Sequence, residues 1–474
     1  MLLVSSFFGR QQELAKLEAA LETVRRTGGG QFLSVRGRRQ VGKSRLMEEF
    51  IARSGEKAVF YVASQLQADE ELGAFREAVA ASPTDVAAAA AAGPLGSWQA
   101  ALALLAGEAT QDQPIIIIVD EFPYLAESHP PIEGIMQTYW DRTLENKSPV
   151  LLILVGSDIS MMESLSTYGR PLYNRLTEQV IDPLSPAEVA AMLNLDARAA
   201  LGAYLVIGGF PRLASRWQRS DDMWKFLKRE LDDPESSLIV IGERMLAAEF
   251  PADLKAQSVI KAIGSGERTF SGILQHSDVS AKTLSETLDS MEQKKRVIDK
   301  ALPYSSRSHP KLSRYSVSEP YLRFWLRFIE GNITTVQRGR GDVLLNRIKE
   351  GWLPYQGRAI EPIVRRGIEK LLPDERFGDA LFVGGYWNRD NSVAVDLVGG
   401  REETRSDPVD FVGAIKWRGK SAFGRSDLAQ LSAFRSSVSG TNADTRLIGV
   451  SRTGFSVAGL DVELTAEDIL AAYA

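Results

Sequence analysis

Apolar and polar positions alternate along this chain in two distinct rhythms, and the rhythm changes sort it into segments. Leu14, Leu17, Leu21 and Val24 recur at helical spacing and predict a long first helix with one buried stripe. Thr27-Gly28-Gly29-Gly30 breaks it, and Gln31 to Val35 then reads as a strand. Arg45 to Ala52 reads as the opening turns of a helix, and Ala58 to Val62 as the next strand. Two unbroken apolar runs, Pro114 to Val119 and Pro149 to Val155, are too short to span a membrane and read as strands buried on both faces of a parallel sheet. The alanine run Ala87 to Ala92, closed by Gly93-Pro94, predicts a mobile surface helix.

Further on, Ser185 with Glu188 three residues later forms a capping-box signature, and helical patterns follow to about Leu231, interrupted at Gly208-Gly209-Phe210-Pro211. Leu254 to Gly264, Thr269 to His276 and Ser280 to Met291 predict three helices. A β-hairpin follows, with a Pro/Ser-rich tip at residues 303–308 and a return strand at Arg314 to Val317; together these make a winged helix. Glu319 to Ile329 is dense in aromatics at helical spacing and predicts a core-packing helix. The final region starts near Gly341 and its order is αβββαβ: a helix led by Tyr355 to Glu361 and running through Leu371, strands at Ala380 to Val383, Asn391 to Val398 and Val409 to Trp417, a helix at Ser426 to Ser436 and a strand at Thr445 to Val450. The expected division is 1–182, an α/β core with a parallel sheet; 183–250, a helical lid; 251–335, the winged helix; and 336–474, a second α/β domain.

Between the first strand and its helix stands Gly37-Arg38-Arg39-Gln40-Val41-Gly42-Lys43-Ser44, which fits G-x-x-x-x-G-K-[ST]. Strand, loop and helix are in the order that lets backbone N–H groups and a helix N-terminus face phosphate. Lys43 is placed to reach the β- and γ-phosphates and the Ser44 hydroxyl to ligate Mg²⁺. The apolar run ends in Asp120-Glu121, at the carboxyl end of a strand where ligands bind in such sheets. Asp120 is the second Mg²⁺ residue, and Glu121 the group that polarises water. Ser157, at the tip of the next buried strand, either senses the γ-phosphate or caps the following helix. Arg170 and Arg175 either stabilise transition-state charge or pair with surface carboxylates.

Composition narrows the picture. The 474 residues are too many for one core, so two to four domains are expected. A net charge of −5 advertises no global affinity for nucleic acid, so any such contact needs a local patch. Lys282, Lys294, Lys295, Arg296, Arg307 and Lys311 supply one around the winged helix, which is otherwise a structural lid. The absence of cysteine excludes disulfides and thiolate-held zinc. Only His129, His276 and His309 are present, far apart, which argues against a histidine metal site or a Ser-His-Asp triad. The apolar start lacks a basic region before it, so no signal peptide is expected, and a cytoplasmic protein follows.

The Phe8-Gly9-Arg10-Gln11-Gln12-Glu13-Leu14 opening, the Gly37 to Ser44 loop, Asp120-Glu121-Phe122-Pro123-Tyr124-Leu125, Pro171-Leu172-Tyr173, Gly209-Phe210-Pro211 and Pro320 to Trp325 together resemble the archaeal ATPase family, in the STAND group of AAA+-like P-loop NTPases. The resemblance covers nearly the whole chain. It implies that Phe8, Gly9 and Arg10 help to hold the base, that Pro211 packs on adenine, that Arg45 continues the nucleotide-binding stretch, and that Arg175 is the arginine following the Leu-Tyr pair, where Asn174 replaces the usual glycine. The last region is similar to the PD-(D/E)XK nuclease-like fold, with Glu361 matching the helix acid, Asp396 the strand acid and Lys416 the lysine. Ala414 stands where an acid is expected, and residues i and i+2 share a strand face, so the metal site lacks a carboxylate unless Glu402 or Glu403 supplies it.

The expected function is an ATP-binding, slowly hydrolysing switch with ATP or ADP and Mg²⁺ as cofactors. Its C-terminal modules engage double-stranded DNA, other nucleic acid or a protein partner, with no membrane. The rival readings are an ATP-gated metal-dependent nuclease and a non-catalytic, ADP-bound interaction protein.

Overall fold

The computed structural model describes residues 7–251, 253–304, 310–402 and 408–474. Arg307, His309, Glu403 and most of the hairpin tip lie outside the described residues. The chain divides into two compact units, Met1–Pro183 and Leu184–Ala474.

Unit 1 is a five-stranded, all-parallel sheet. Its strands are β1 (Gln31–Arg36), β2 (Lys57–Val62), β3 (Ile115–Asp120), β4 (Val150–Gly156) and β5 (Thr177–Val180), in the order β2-β3-β4-β1-β5. Every residue of β3 and β4 is buried, as their unbroken apolar runs require for strands covered on both faces. Helix α1 (Gln11–Thr27) buries Leu14, Leu17, Leu21 and Val24, and ends at Gly28 with φ 69. Gly29 and Gly30 have no room for a side chain, because a Cβ would meet the Glu145 carbonyl oxygen at 2.5 Å and that of Leu144 at 2.8 Å. Helix α2 (Lys43–Ser54) starts directly from the loop after β1. The order puts β4 between β1 and β3, so the tip of β4 stands between the phosphate loop and the acidic end of β3. Ala87–Ala92 is helical as expected, but Ala90 is buried in the core beneath it.

Unit 2 opens with helices and closes on a second sheet. The capping box forms, with Ser185 Oγ accepting from Glu188 N–H at 3.1 Å and Glu188 Oε2 from Ser185 N–H at 2.7 Å. Three helices, Leu254–Ser265, Phe270–Gln275 and Ala281–Asp289, precede an antiparallel hairpin of β6 (Ile298–Ala301) and β7 (Arg314–Val317). The aromatic segment is an α-turn, Pro320–Phe324, running into a π-helical turn, Trp325–Ile329. Its rings are buried as the apolar spacing predicts: Tyr321 Oη donates to the Leu238 carbonyl at 2.9 Å and Trp325 Nε1 to that of Ile239 at 3.0 Å. Phe328 meets Tyr355 with ring centroids 5.2 Å apart. This segment therefore ties the early helices of unit 2 to the helix Gly341–Ala359.

The second sheet contains β8 (Phe382–Trp387), β9 (Ala394–Gly400), β10 (Val409–Lys416), β11 (Arg446–Ser451) and β12 (Val462–Leu464), in that spatial order. Its first two pairings are antiparallel and its last two parallel. Helices Glu361–Leu371 and Arg425–Arg435 occupy the expected positions, while β12 and a closing helix, Ala466–Ala471, extend the αβββαβ order. Among the described residues no single helix is long and apolar enough to cross a membrane.

Candidate nucleotide site

The loop after β1 is shaped by close backbone approach. A Cβ on Gly37 would meet the Ile181 carbonyl oxygen at 2.2 Å, and the Ile181 N–H donates to the Arg36 carbonyl at 2.7 Å. Gly42 takes φ 94 as the residue before α2, and Gln40 takes φ 67 within the loop. Lys43 is buried, and its ammonium donates to the carbonyls of Gly37 at 2.8 Å and Arg38 at 2.9 Å. Burial pushes the Lys43 ammonium down to about 8, against the pull of Glu121 and Asp120. Arg10 braces the loop from behind: φ is 62, the side chain is buried, and it donates to Glu13 Oε1 at 2.8 Å and to the Val41 carbonyl at 2.9 Å.

Asp120 and Ser44 meet. The Ser44 hydroxyl donates to Asp120 Oδ2 at 2.5 Å, and Asp120 Oδ1 accepts the Glu121 N–H at 2.9 Å. Burial raises the Asp120 carboxyl above its ordinary value, opposed by the Ser44 bond. Glu121 occupies the left-handed region, φ 51, before the helix Phe122–Ser128. Such backbone strain in a non-glycine residue persists where surrounding contacts impose it.

Ser157 is not the cap of the next helix: Asp158 is, accepting the Met161 N–H at 2.9 Å. Instead Ser157 Oγ lies against Glu121, 2.8 Å from Oε2 and 3.1 Å from Oε1. The β3 carboxylate and the β4 hydroxyl, 36 residues apart, thus form one unit. They line a cleft of about 530 Å³ together with Arg39, Tyr124, Glu133 and Arg170. Arg39 donates to Tyr124 Oη at 2.8 Å, and Arg170 Nε to Glu133 Oε2 at 3.2 Å.

Other expected site residues of unit 1 do not line this cleft. Arg175 is held by Asp141 through two 2.7 Å bonds and by the carbonyls of Pro171 and Tyr173. It is Arg170, not Arg175, that lines the cleft with Glu121. Arg45 is exposed and pairs with Glu48 at 3.0 Å. Phe8 is exposed, Gly9 takes φ 71, and Val41 is fully buried. Pro211 opens the short helix Pro211–Ala214 of unit 2. Arg39 and Arg170 are residues that the sequence also singles out; Glu133, from the helix Ile132–Tyr139, could not be read from spacing.

On β9, burial raises the Asp396 carboxyl, Glu361 of the helix Glu361–Leu371 raises it further, and Lys416 lowers it. Asp396 Oδ2 accepts the Ile415 N–H at 2.8 Å, and Lys416 lies 3.8 Å from Asp427. Ala414 is buried in an apolar cluster with Phe423 and Leu431. The pairing of β10 with β9 has a register irregularity between Val409 and Phe411. Among the described residues no group of three or more His, Asp or Glu side chains is placed to hold a metal ion. On the hairpin side, Lys295 is half-buried. Its ammonium donates to the Glu249 carbonyl and lies 5.3 Å from the Phe250 ring centroid.

Residues 7–200 match the model of an ATPase domain described as predominantly from Archaea, and residues 325–426 one of archaeal and bacterial proteins of unknown function. An uncharacterized protein of Methanocaldococcus jannaschii is 24% identical over 396 residues, covering 83% of this chain and 84% of that protein. Among solved structures, a Walker-type ATPase of Pyrococcus abyssi is 17% identical, with TM-score 0.50, covering 68% of this chain and 96% of its own. The Aeropyrum pernix ORC2 protein, solved as ADPNP–ADP complexes, is 13% identical, with TM-score 0.46, covering 69% and 94%. Unit 1 thus has the fold of P-loop ATPases, residues 7–200 are similar to an ATPase domain found predominantly in Archaea, and residues 325–426 to a region of proteins of unknown function.

Proposed function

We propose that the protein is an ATP-hydrolysing molecular switch whose nucleotide state is read out by unit 2, and that unit 2 engages nucleic acid. The observation that carries the reading is the Ser157–Glu121 contact beside the loop that holds Lys43. Lys43 exchanges its two loop carbonyls for β- and γ-phosphate oxygens. Ser44 and Asp120 bring a hydroxyl and a carboxylate to one point, which suits Mg²⁺, an ion that keeps most of its waters and needs only one or two protein oxygens. Bound there, the ion would neutralise phosphate charge. Glu121 orients the attacking water as general base. Ser157 can contact either the Glu121 carboxylate or the γ-phosphate, so the base is released for water when the hydroxyl turns to phosphate. Such a gate favours slow turnover. Phe8, Gly9 and Arg10 hold the base, as the family resemblance implies.

The lid helices and the three-helix–hairpin segment, a winged helix in this reading, pass the change on. The PD-(D/E)XK-like sheet keeps Glu361, Asp396 and Lys416 but does not cut, because Ala414 is a core residue and leaves the acids one ligand short. The deciding measurement is the nucleotide retained by the purified protein together with its turnover. Retained ADP or ATP with Mg²⁺-dependent release of phosphate supports the switch. Retained nucleotide with no turnover would replace it with the ADP-bound interaction protein.

A further inference from the structure

Outside the nucleotide site, unit 2 gathers five guanidiniums around one carboxylate. Arg268 stands in the turn before the helix Phe270–Gln275, and its carbonyl accepts the Tyr315 N–H at 2.8 Å, which sets it beside β7 and Arg314. Arg323, just past β7, donates to the Val317 carbonyl at 2.9 Å and to that of Ala359 at 3.3 Å, next to Arg358. Arg365, one turn beyond Glu361, donates to Glu361 Oε2 at 3.2 Å and to the Asp396 carbonyl at 2.9 Å. Glu361 attracts both Arg268 and Arg314, while Arg358 and Arg365 repel both.

The five are not equivalent. Arg314 is fixed over the Trp387 ring, 4.1 Å from its centroid, and donates to Asn391. Arg323 and Arg365 are tied to backbone carbonyls. Among the described residues the guanidiniums of Arg268 and Arg358 have neither a hydrogen bond nor an ion pair. The acids cannot balance the set. Glu361 is already taken by Arg365, and Asp396 is taken by the Ile415 N–H. Burial and the neighbouring Arg268 hold the Arg314 guanidinium down at about 10, far below where arginine ordinarily titrates. An assembled excess of positive charge of this kind is stabilised by a multivalent anion.

We propose that this cluster is a phosphodiester site: Arg268 and Arg358 each donate to phosphate oxygens of a nucleic-acid backbone, inside a positive frame made by Arg314, Arg323 and Arg365. Guanidinium is the donor that matches phosphate in a bidentate manner. A backbone with successive charges answers a cluster that spans β7, the preceding helices and the helix Glu361–Leu371. The same residues explain why Glu361 is unsuited to metal, since Arg365 occupies its carboxylate. The proposal rests on the reading that unit 2 engages nucleic acid and names where it does so.

The test uses the full chain, a fluorescent duplex of about 20 base pairs and a salt titration, with inorganic phosphate as a separate probe. Arg268→Ala with Arg358→Ala should weaken duplex binding at least ~10-fold and reduce the slope of log affinity against log salt by about one to two, the scale of one or two phosphate contacts. Arg268→Lys should lose less. Thermal stability of the double variant should be unchanged or higher, since repulsion is relieved and no internal bond is broken. Lys225→Ala, an exposed cation on the helix Met223–Asp232, measures the general effect of removing charge and should do little. Equal losses in the Lys225 and arginine variants, or a double variant that binds as the wild type does, would overturn the site while leaving nucleic-acid engagement standing. No duplex binding by the wild type at low salt would overturn both. Stabilisation by inorganic phosphate without duplex binding would reassign the cluster to a small phosphate compound.

Discussion

Lys43 and Glu121 make the sharpest residue-scale predictions. Lys43→Ala should abolish binding of a labelled ATP analogue while leaving the fold intact, as read by circular dichroism. Burial holds the Lys43 ammonium at about 8, so pH has a defined sign. Phosphate binds the charged form. Affinity should be flat below pH 8 and fall by up to about tenfold per pH unit above it, as binding must then take up a proton. The folded value lies below that of an unfolded lysine, so burying the charge costs stability at neutral pH. That cost is relieved as pH rises from about 8 toward 10.5, and a titration of stability against a Lys43→Met variant should show the difference vanish there. Glu121→Gln keeps shape but removes the base, and turnover should drop at least ~10²-fold with ATP still bound. Unchanged turnover would make Glu121 a strand-end residue and nothing more.

At the scale of elements, two positions show how tightly backbone and rings are set. Gly37→Ala places a methyl group 2.2 Å from the Ile181 carbonyl oxygen, a backbone atom that cannot rotate away. The end of β1 and the chain leaving β5 would have to separate, costing about 1–3 kcal/mol and the phosphate-loop geometry with it. Denaturant melts and nucleotide titration of the same variant should both show the loss. Trp325→Ala removes a buried ring that also donates to Ile239, and should cost about 3–5 kcal/mol. Ala414→Glu, which would restore the missing acid, buries a carboxylate beside Phe423 and Leu431. It should lower thermal stability, and any gain in Mn²⁺ binding has to be read against that loss.

For the molecule as a whole, the switch reading has a calorimetric consequence. Each unit has its own core. A nucleotide at one hundred times its dissociation constant stabilises the state that binds it by about 2.7 kcal/mol. If unit 1 merely stores nucleotide, an ATP analogue should raise one transition only. Coupling requires that the second transition move too, and differently with ADP than with the analogue. A scan in which unit 2 melts at the same temperature with no nucleotide, ADP and analogue would rule out transmission.

Local chemistry made much of this legible in the chain. The glycines and Lys43 of the phosphate loop, the buried strands β3 and β4, the Ser185 capping box and the aromatic helix all depend on nearest neighbours and on one or two periods of apolar spacing. Strand β5, Thr-Glu-Gln-Val, carries almost no apolar signal, because three of its four side chains are exposed at the sheet edge and only pairing with β1 makes it a strand. The helix Ala466–Ala471 and β12 escaped because six and three residues are too few to show a period. Tertiary structure alone decided that Ser157 serves Glu121 rather than a helix end, that Arg170 lines the cleft while Arg175 is spent on Asp141, and that Lys295 is turned inward. It also gathered five arginines from separate elements around Glu361. A side chain's partners across tens of residues are set by how sheets and helices pack, and spacing along the chain carries no record of that.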